Sequence, residues 1–136
     1  MQEILFRAKA LGEGAGWVEG YPLPQRTSGD WTIQDRNGVG YDVLPATLGQ
    51  YIGHTDKNGT RIFTGDIVEI PTGAQFVVVF SERDCAFGRV NVTEYGFKYE
   101  RYFTDTIDRY WWSENFSLEV IGNVFDNKEL LPCSKV

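Results

Sequence analysis

The stretch QYIGHTDKNGTRIFTGDIVEI, residues 50–70, holds the only histidine of the sequence, an Asn-Gly pair and a Gly-Asp pair. It could form an active-site loop, a metal site or a hairpin. Asn and Gly tolerate the positive φ angles that tight hairpin turns demand, and an aspartate can bond its own backbone at the start of a strand. The sequence therefore predicts a hairpin followed by a strand-entry turn. We expect five residues to specify this fold: Asp56, Asn58, Gly59, Gly65 and Asp66.

Tests for chemistry in this stretch favour the hairpin. Zinc sites with several histidines are excluded because His54 is alone. An EF-hand calcium loop fails because Ile67 stands where the distal glutamate belongs. Cys85 with His54 would be a cysteine–histidine pair only if the thiolate were stabilised, and Asp66 as a catalytic carboxylate would need a partner and a cleft. The sequence predicts no catalytic residue, no cofactor and no metal.

Size, charge and cysteine content narrow the class of protein. A chain of 136 residues fits one domain. A net charge of −6 and a pI near 4.7 argue against generic binding to phosphate backbones, which needs clustered Lys and Arg. Cys85 and Cys133 do not make a disulfide framework, the N-terminus lacks the apolar core of a signal peptide, and no apolar run is long enough to span a membrane. We therefore expect reduced thiols in a cytoplasm and no membrane contact.

Short apolar runs separated by turns indicate a mainly β protein. Residues 1–10 alternate as a strand, residues 11–30 form a Gly- and Pro-rich connector that predicts a loop with short extended pieces, and Trp17 and Tyr21 are expected to pin it to the core. Two extended runs flank Asp35-Arg36-Asn37-Gly38, which repeats the pattern of Asp56-Lys57-Asn58-Gly59. The stretch QFVVVF is the clearest buried strand.

These patterns predict a small antiparallel barrel or sandwich, with an SH3-like barrel as one form, and minor helical turns. One such turn is expected after residue 44. Another is expected in the tail, capped by Asp126, with Glu129 at the capping-box spacing, and ended by Pro132.

The segment from Tyr95 to Trp112 is a candidate interaction surface. Its aromatic residues alternate with basic ones, which could stack bases in a single-stranded nucleic-acid groove or instead face a β core. Trp111 and Trp112 are adjacent, so on a strand they would face opposite sides, and one of them needs a second partner. The candidate surface comprises Lys98, Arg101, Arg109, Trp111 and Trp112.

Three collinear stretches resemble the signature of the YopX family of phage and prophage proteins. They are ILFRA at residues 4–8, the run from Gln50 to Val68, and LEVIGNVFDNKELL at residues 118–131. The chain departs from the family pattern at Lys9, where tryptophan is common, and at Thr64, where an acidic residue is common. The resemblance implies a compact, mainly β phage accessory protein and supplies no family catalytic residues. It predicts one domain over residues 1–136, with an N-terminal part (1–48), a β-rich core (49–131) and a tail (132–136).

Three functions are then open. The first is a non-enzymatic protein-interaction or assembly module that acts in the bacterial host cytoplasm on an unknown host or phage protein and is able to form a homo-oligomer. The second is a nucleic-acid-associated accessory factor. The third is an enzyme whose carboxylates converge only in the fold, with Asp66, Asp84, Asp105 and Asp108 as candidates. The first is preferred.

Overall fold

The structure is a computed structural model that describes residues 4–12, 16–25, 30–81, 85–94, 105–106 and 117–131. The chain divides into two compact units, Met1–Gly53 and His54–Val136. Strands dominate both units, and helical structure in the described ranges is limited to short 3-10 turns. The predicted mainly β, antiparallel class is confirmed, and its two sheets do not close. The grouping of residues 1–136 into one domain stays a prediction.

The first unit is an antiparallel sheet. Its strands lie in the order β4-β3-β2-β1-β5, and a 3-10 turn at Pro45–Thr47 joins β4 to β5 as the sequence predicts. The strands are β1 (Phe6–Lys9), β2 (Trp17–Pro24), β3 (Trp31–Gln34), β4 (Gly40–Val43) and β5 (Gly49–Thr55), the last of which continues two residues into the second unit.

Inward-facing and outward-facing side chains alternate along these strands, and the inward-facing ones form the core of the first unit. Ala8, Ile33 and Val43 are buried together, and partly buried apolar side chains surround them: Phe6, Val18, Trp31, Tyr41 and Leu48. An isolated bridge between Ala10 and Val43 brings the ends of β1 and β4 side by side. Side chains at alternate positions of each strand therefore point into this cluster, while the intervening ones face outward.

The prediction of a loop over residues 11–30 was wrong for its second part. β2 is an eight-residue strand that pairs with β1 through Trp17–Gly20 and with β3 through Tyr21–Pro24. Tyr21 does not anchor this segment to the core, because its side chain is exposed. Pro22 and Pro24 mislead here because a proline is tolerated in a strand where its nitrogen points away from the partner strand, and both point away from β3.

The second unit contains a five-stranded antiparallel sheet in the order β10-β9-β8-β7-β11. Its strands are β7 (Asp66–Glu69), β8 (Gln75–Ser81), β9 (Ala86–Asn91), β10 (Asp105–Thr106) and β11 (Glu119–Asn123). The unit also contains β6 (Arg61–Phe63), which is not part of this sheet. Short 3-10 turns lie at Val92–Glu94 and Lys128–Leu130. No helix among the described residues of either unit is long and apolar enough to cross a membrane.

The central strands of this sheet are buried on both faces. Ile67 and Val68 of β7 point to opposite sides, as do Val77 and Val78 of β8, and all four are fully buried. The prediction of a buried strand at QFVVVF is therefore confirmed. On one face, Ile67, Val77 and Val124 form a cluster with Val79, Val92, Ile121, Phe125, Leu130 and Leu131.

The predicted cap of the tail helix was wrong. Asn127, and not Asp126, is the N-cap of the turn at Lys128–Leu130, and its side chain makes no capping bond. The Asn127 Oδ1 atom instead accepts the backbone N–H of Asn123 at 3.1 Å. The asparagine side chain thus ties the last turn back to the end of β11.

We expect the substitution Gly20→Ala to destabilise the protein by about 3 kcal/mol, because a Cβ at this position would overlap the backbone carbonyl of Gln34. Gly16→Ala is the matched control, since a Cβ there meets nothing nearby, and its expected effect is below about 0.5 kcal/mol. Urea unfolding of both variants measures the difference. Equal losses in the two variants would contradict the close approach of β2 and β3.

Candidate functional site

The turn after β5 is organised by the carboxylate of Asp56. Its Oδ1 atom accepts the backbone N–H groups of Asn58 and Thr60, each at 2.9 Å. The backbone closes the turn as well, because the N–H of Asp56 donates to the Thr60 carbonyl at 2.9 Å and that of Gly59 donates to the Asp56 carbonyl at 3.0 Å. Asp56 is therefore a turn residue whose side chain replaces a backbone acceptor.

Only the glycine of the Asn-Gly pair adopts a positive φ. Gly59 has a φ of 83°, whereas Cys85 is the sole non-glycine residue with a positive φ in the described ranges. The i to i+3 bond followed by a left-handed glycine is the pattern of a hairpin loop with a G1 bulge. Asn58 has no positive φ and contributes its backbone N–H to the turn.

The second oxygen of Asp56 holds β11. Oδ2 accepts the N–H of Val120 at 2.9 Å, across 64 residues of sequence, and the N–H of Lys57 donates to the Leu118 carbonyl at 3.0 Å. These groups of β11 do not pair with β7, so they lie on its other edge. The Asp56 turn therefore covers an edge that would otherwise present unpaired backbone groups.

The Gly65-Asp66 turn makes a second connection to the same region. The N–H of Gly65 donates to the Val78 carbonyl at 2.8 Å, and its own carbonyl accepts the N–H of Val124 at 2.9 Å. Asp66 is 1% exposed, and its Oδ2 atom accepts the N–H of Phe63 at 2.8 Å. Both aspartates of the stretch thus bind backbone donors.

The local environment lowers the pKa values of two side chains in this stretch, Asp56 and His54. Burial by itself would raise the pKa of Asp56, but the three backbone N–H donors and nearby Lys57 outweigh it, so the pKa lies below its ordinary value. His54 lies at the exposed end of β5, and partial desolvation of its ring lowers its pKa. His54 is therefore neutral at neutral pH.

Most of the sequence that forms these turns and strands matches a known protein family. The model of the YopX protein family matches residues 17–132, which is most of the chain. The chain belongs to the YopX family. No curated protein matches it. The matched range contains both the Asp56 turn and β11.

The two stretches that carry the YopX resemblance in the second unit meet in the structure. One contains Asp56 and Gly65, and the other contains Leu118, Val120 and Val124. Three hydrogen bonds described above join the two stretches: Val120 N–H to Asp56 Oδ2, Lys57 N–H to the Leu118 carbonyl, and Val124 N–H to the Gly65 carbonyl. The sequence marks each stretch by its turn residues, but it gives no signal that the two bind each other, since no local pattern reports a pairing across such a distance.

An open pocket of about 440 Å³ lies beside this contact. Glu69 of β7 and Glu119 of β11 are directly opposite each other on its wall, an arrangement of like charges that is unfavourable by itself. Each has a compensating donor: Lys57 Nζ lies 3.6 Å from Glu119 Oε1, and Gln75 Nε2 donates to Glu69 Oε2 at 3.1 Å. Each carboxylate of this pocket thus has a neighbouring partner, and its charged lining residues, Lys57, Glu69 and Glu119, carry one net negative charge.

Some of the remaining predicted site residues lie outside the described residues, and the others lie apart from the Asp56 turn in sequence. The candidate surface of Lys98, Arg101, Arg109, Trp111 and Trp112 lies outside the described residues, as do Asp84 and Asp108. Asp105 lies in β10, opposite Arg89 of β9. Cys85 is exposed and is not part of a disulfide. Over the part of the chain that the structure describes, no three His, Cys, Asp or Glu side chains are grouped to hold a metal ion.

We expect Asp56→Asn to destabilise the protein by about 2 kcal/mol, because the amide group would place a donor against the N–H of Val120 and leave it unsatisfied. The matched control is Asp35→Asn. Asp35 uses its Oδ1 atom in the same way, but among the residues that the structure describes its Oδ2 atom accepts only the Tyr41 hydroxyl, at 3.3 Å. Urea unfolding should show a loss below about 0.5 kcal/mol for the control. Similar losses for both variants would show that the β11 contact contributes nothing.

The lowered pKa of Asp56 predicts a loss of stability in acid. As the pH falls below the ordinary value of 3.8, the unfolded chain takes up a proton before the folded chain does. The stability that Asp56 contributes is therefore complete above this value and is lost progressively below it. Unfolding free energies measured from about pH 6 to about pH 2 should fall more steeply for the parent than for Asp56→Asn. Parallel pH profiles would contradict the assignment.

Proposed function

We propose that this protein is a non-enzymatic protein-interaction or assembly module, encoded by a phage or prophage and acting in the bacterial host cytoplasm. Membership of the YopX family supports the accessory character of the proposal. The observation that carries the interaction role is a pair of exposed side chains on β2, Tyr21 and Leu23, which are 53% and 47% exposed.

Strand geometry sets these two side chains on the outward face of the first unit. Tyr21 and Leu23 alternate with Gly20 and Pro22, which lie on the side of the buried cluster. Large apolar side chains that stand together in water are typical anchors of protein interfaces, where aromatic residues contribute most. The pair therefore supports recognition of another protein surface.

A polar rim borders the pair. Leu23 lies opposite Thr32, and Thr32 lies opposite Asp42. The Gln25 Nε2 atom donates to Thr32 Oγ1 at 3.0 Å and to Asp42 Oδ1 at 2.9 Å, and the Thr32 hydroxyl donates to Asp42 Oδ1 at 3.2 Å. An apolar centre with a hydrogen-bonded rim resembles the usual composition of an interface.

The backbone of β2 favours binding of a partner to the face that carries Tyr21 and Leu23, and disfavours pairing of a partner strand along the edge of β2. The Gln25 N–H donates to the Asp30 carbonyl at 2.9 Å, and hydrogen-bonding positions alternate along antiparallel strands. Tyr21 and Leu23 consequently bond β3, whereas Pro22 and Pro24 direct their nitrogens away from it. Since proline has no N–H, this edge of β2 offers few donors to an added strand.

The test is an affinity pull-down of the tagged full chain from host lysate, with and without nuclease. We expect a protein partner that survives nuclease and is lost with the double substitution Tyr21→Ser and Leu23→Ser, because the apolar anchors are gone. Leu44→Ser is the control, since Leu44 is a comparably exposed apolar residue, at 43%, outside β2.

Three results would contradict the proposal. Recovery that disappears with nuclease would favour the nucleic-acid-associated alternative. A partner retained by the double variant would remove Tyr21 and Leu23 from the interface. Substrate turnover by the purified protein that is abolished in a folded Asp66 or His54 variant would make it an enzyme.

A further inference from the structure

The first unit contains a second copy of the Asp56 turn. In the turn that joins β3 to β4, Asp35 Oδ1 accepts the N–H groups of Asn37 and Val39, each at 2.9 Å. The N–H of Asp35 donates to the Val39 carbonyl at 2.9 Å, and that of Gly38 donates to the Asp35 carbonyl at 3.0 Å. Gly38 has a φ of 85°, close to the 83° of Gly59. The two turns therefore have the same hydrogen-bond pattern and nearly the same φ angle at the glycine.

The Asp56 copy shows what this kind of turn can bind. It holds three consecutive residues of an extended strand, Leu118, Glu119 and Val120. The Lys57 N–H donates to the first, the Lys57 ammonium lies 3.6 Å from the carboxylate of the second, and Asp56 Oδ2 accepts the N–H of the third. The turn thus recognises an extended segment with an acidic residue at its centre.

The Asp35 copy carries the same chemical groups in the same order. Asp35 provides the carboxylate, and Arg36 replaces Lys57 as the cation that follows it. Covered by β11, Asp56 is only 6% exposed, whereas Asp35 is half-buried and residues 36–40 are exposed. The Asp35 turn therefore has the composition of the strand-binding turn and an exposed surface around it.

The Tyr41 hydroxyl does not preclude a second donor at this carboxylate. It donates to Asp35 Oδ2 at 3.3 Å, which is longer than the 2.9 Å between Val120 N and Asp56 Oδ2. Each carboxylate oxygen has two lone pairs, so Oδ2 can accept the hydroxyl and a backbone N–H together.

We propose that the Asp35–Val39 turn binds an extended segment of a partner protein whose central residue is acidic, in the way that the Asp56 turn binds β11. Asp35 Oδ2 accepts a backbone N–H of the partner, the Arg36 N–H donates to its carbonyl two residues earlier, and the Arg36 guanidinium pairs with the acidic side chain between them. This inference rests on the proposed interaction role and names the partner chemistry. The occupant is not β11 of a second copy, because that strand is already held by its own Asp56 turn.

The probe is a capped peptide of sequence SLEVI, which copies residues 117–121. It is titrated into the isotope-labelled full chain and followed by amide NMR shifts. We expect weak binding, because a short free peptide loses conformational freedom, with the largest shifts at the amides of residues 35–39. Asp35→Asn keeps the Oδ1 acceptor that forms the turn and removes the Oδ2 acceptor, so its affinity should fall at least about tenfold.

Charge reversal provides a matched control. Arg36→Glu should weaken binding of SLEVI and restore binding to a peptide with lysine at the centre, because the two charges are exchanged. Unchanged affinity in Asp35→Asn, failure of the lysine peptide to rescue Arg36→Glu, or shifts centred on Lys57 instead of Arg36 would each overturn the inference.

The outcome is separable from that of the proposed function. A partner captured from lysate that depends on Tyr21 and Leu23, but is unaffected by Asp35→Asn, would overturn the role of the Asp35 turn and leave the interaction role intact. Loss of that partner in Asp35→Asn, with retention by the Leu44→Ser control, would support both.

Discussion

The hydrogen bond from the Val120 N–H to Asp56 Oδ2 is the contact on which the second unit depends. It is charge-assisted and partly buried, and a charge-assisted bond is stronger than a typical bond between neutral groups. The same carboxylate also organises its own turn through Oδ1. One side chain therefore fixes the end of a hairpin and the edge of a distant strand, so the shape of the turn and the position of β11 are not independent.

A carboxylate serves this purpose because it presents acceptors in two directions. An Asn side chain could maintain the turn through one oxygen, but it would turn a donor toward the strand. The Asp35 turn has the same local half of this arrangement, and within the described part of the chain its second oxygen accepts the Tyr41 hydroxyl and no strand N–H. The two turns thus separate the local role of the aspartate, which is to shape a loop, from its long-range role in recognising extended backbone.

Local chemistry in the sequence predicted the turns and strands well. Asp56, Gly59 and Gly65 mark the hairpin ends because few other residues fit such backbone geometry, and the valine-rich β8 needs no further signal. The strand β2 was missed because Pro22 and Pro24 look like loop residues until their nitrogens are known to face away from β3. The hydrogen bond between Asp56 and β11 was also missed, because a contact between residues far apart in the sequence produces no periodic pattern of residues. The role of the Asn127 side chain was missed because it bonds back to Asn123 and not into the turn that it precedes.

The separation of 64 residues between Asp56 and Val120 bears on how the chain folds as it is made. The Asp56 turn can close as soon as Thr60 is available, because all of its own bonds are local. Its buried carboxylate gains its last partner only when β11 emerges, long after the neighbouring hairpins are complete. Contacts of such long sequence separation slow folding, because the loop entropy is lost before the contact forms. During synthesis, the edge of β7 that pairs with β11 therefore stays uncovered until β11 has emerged.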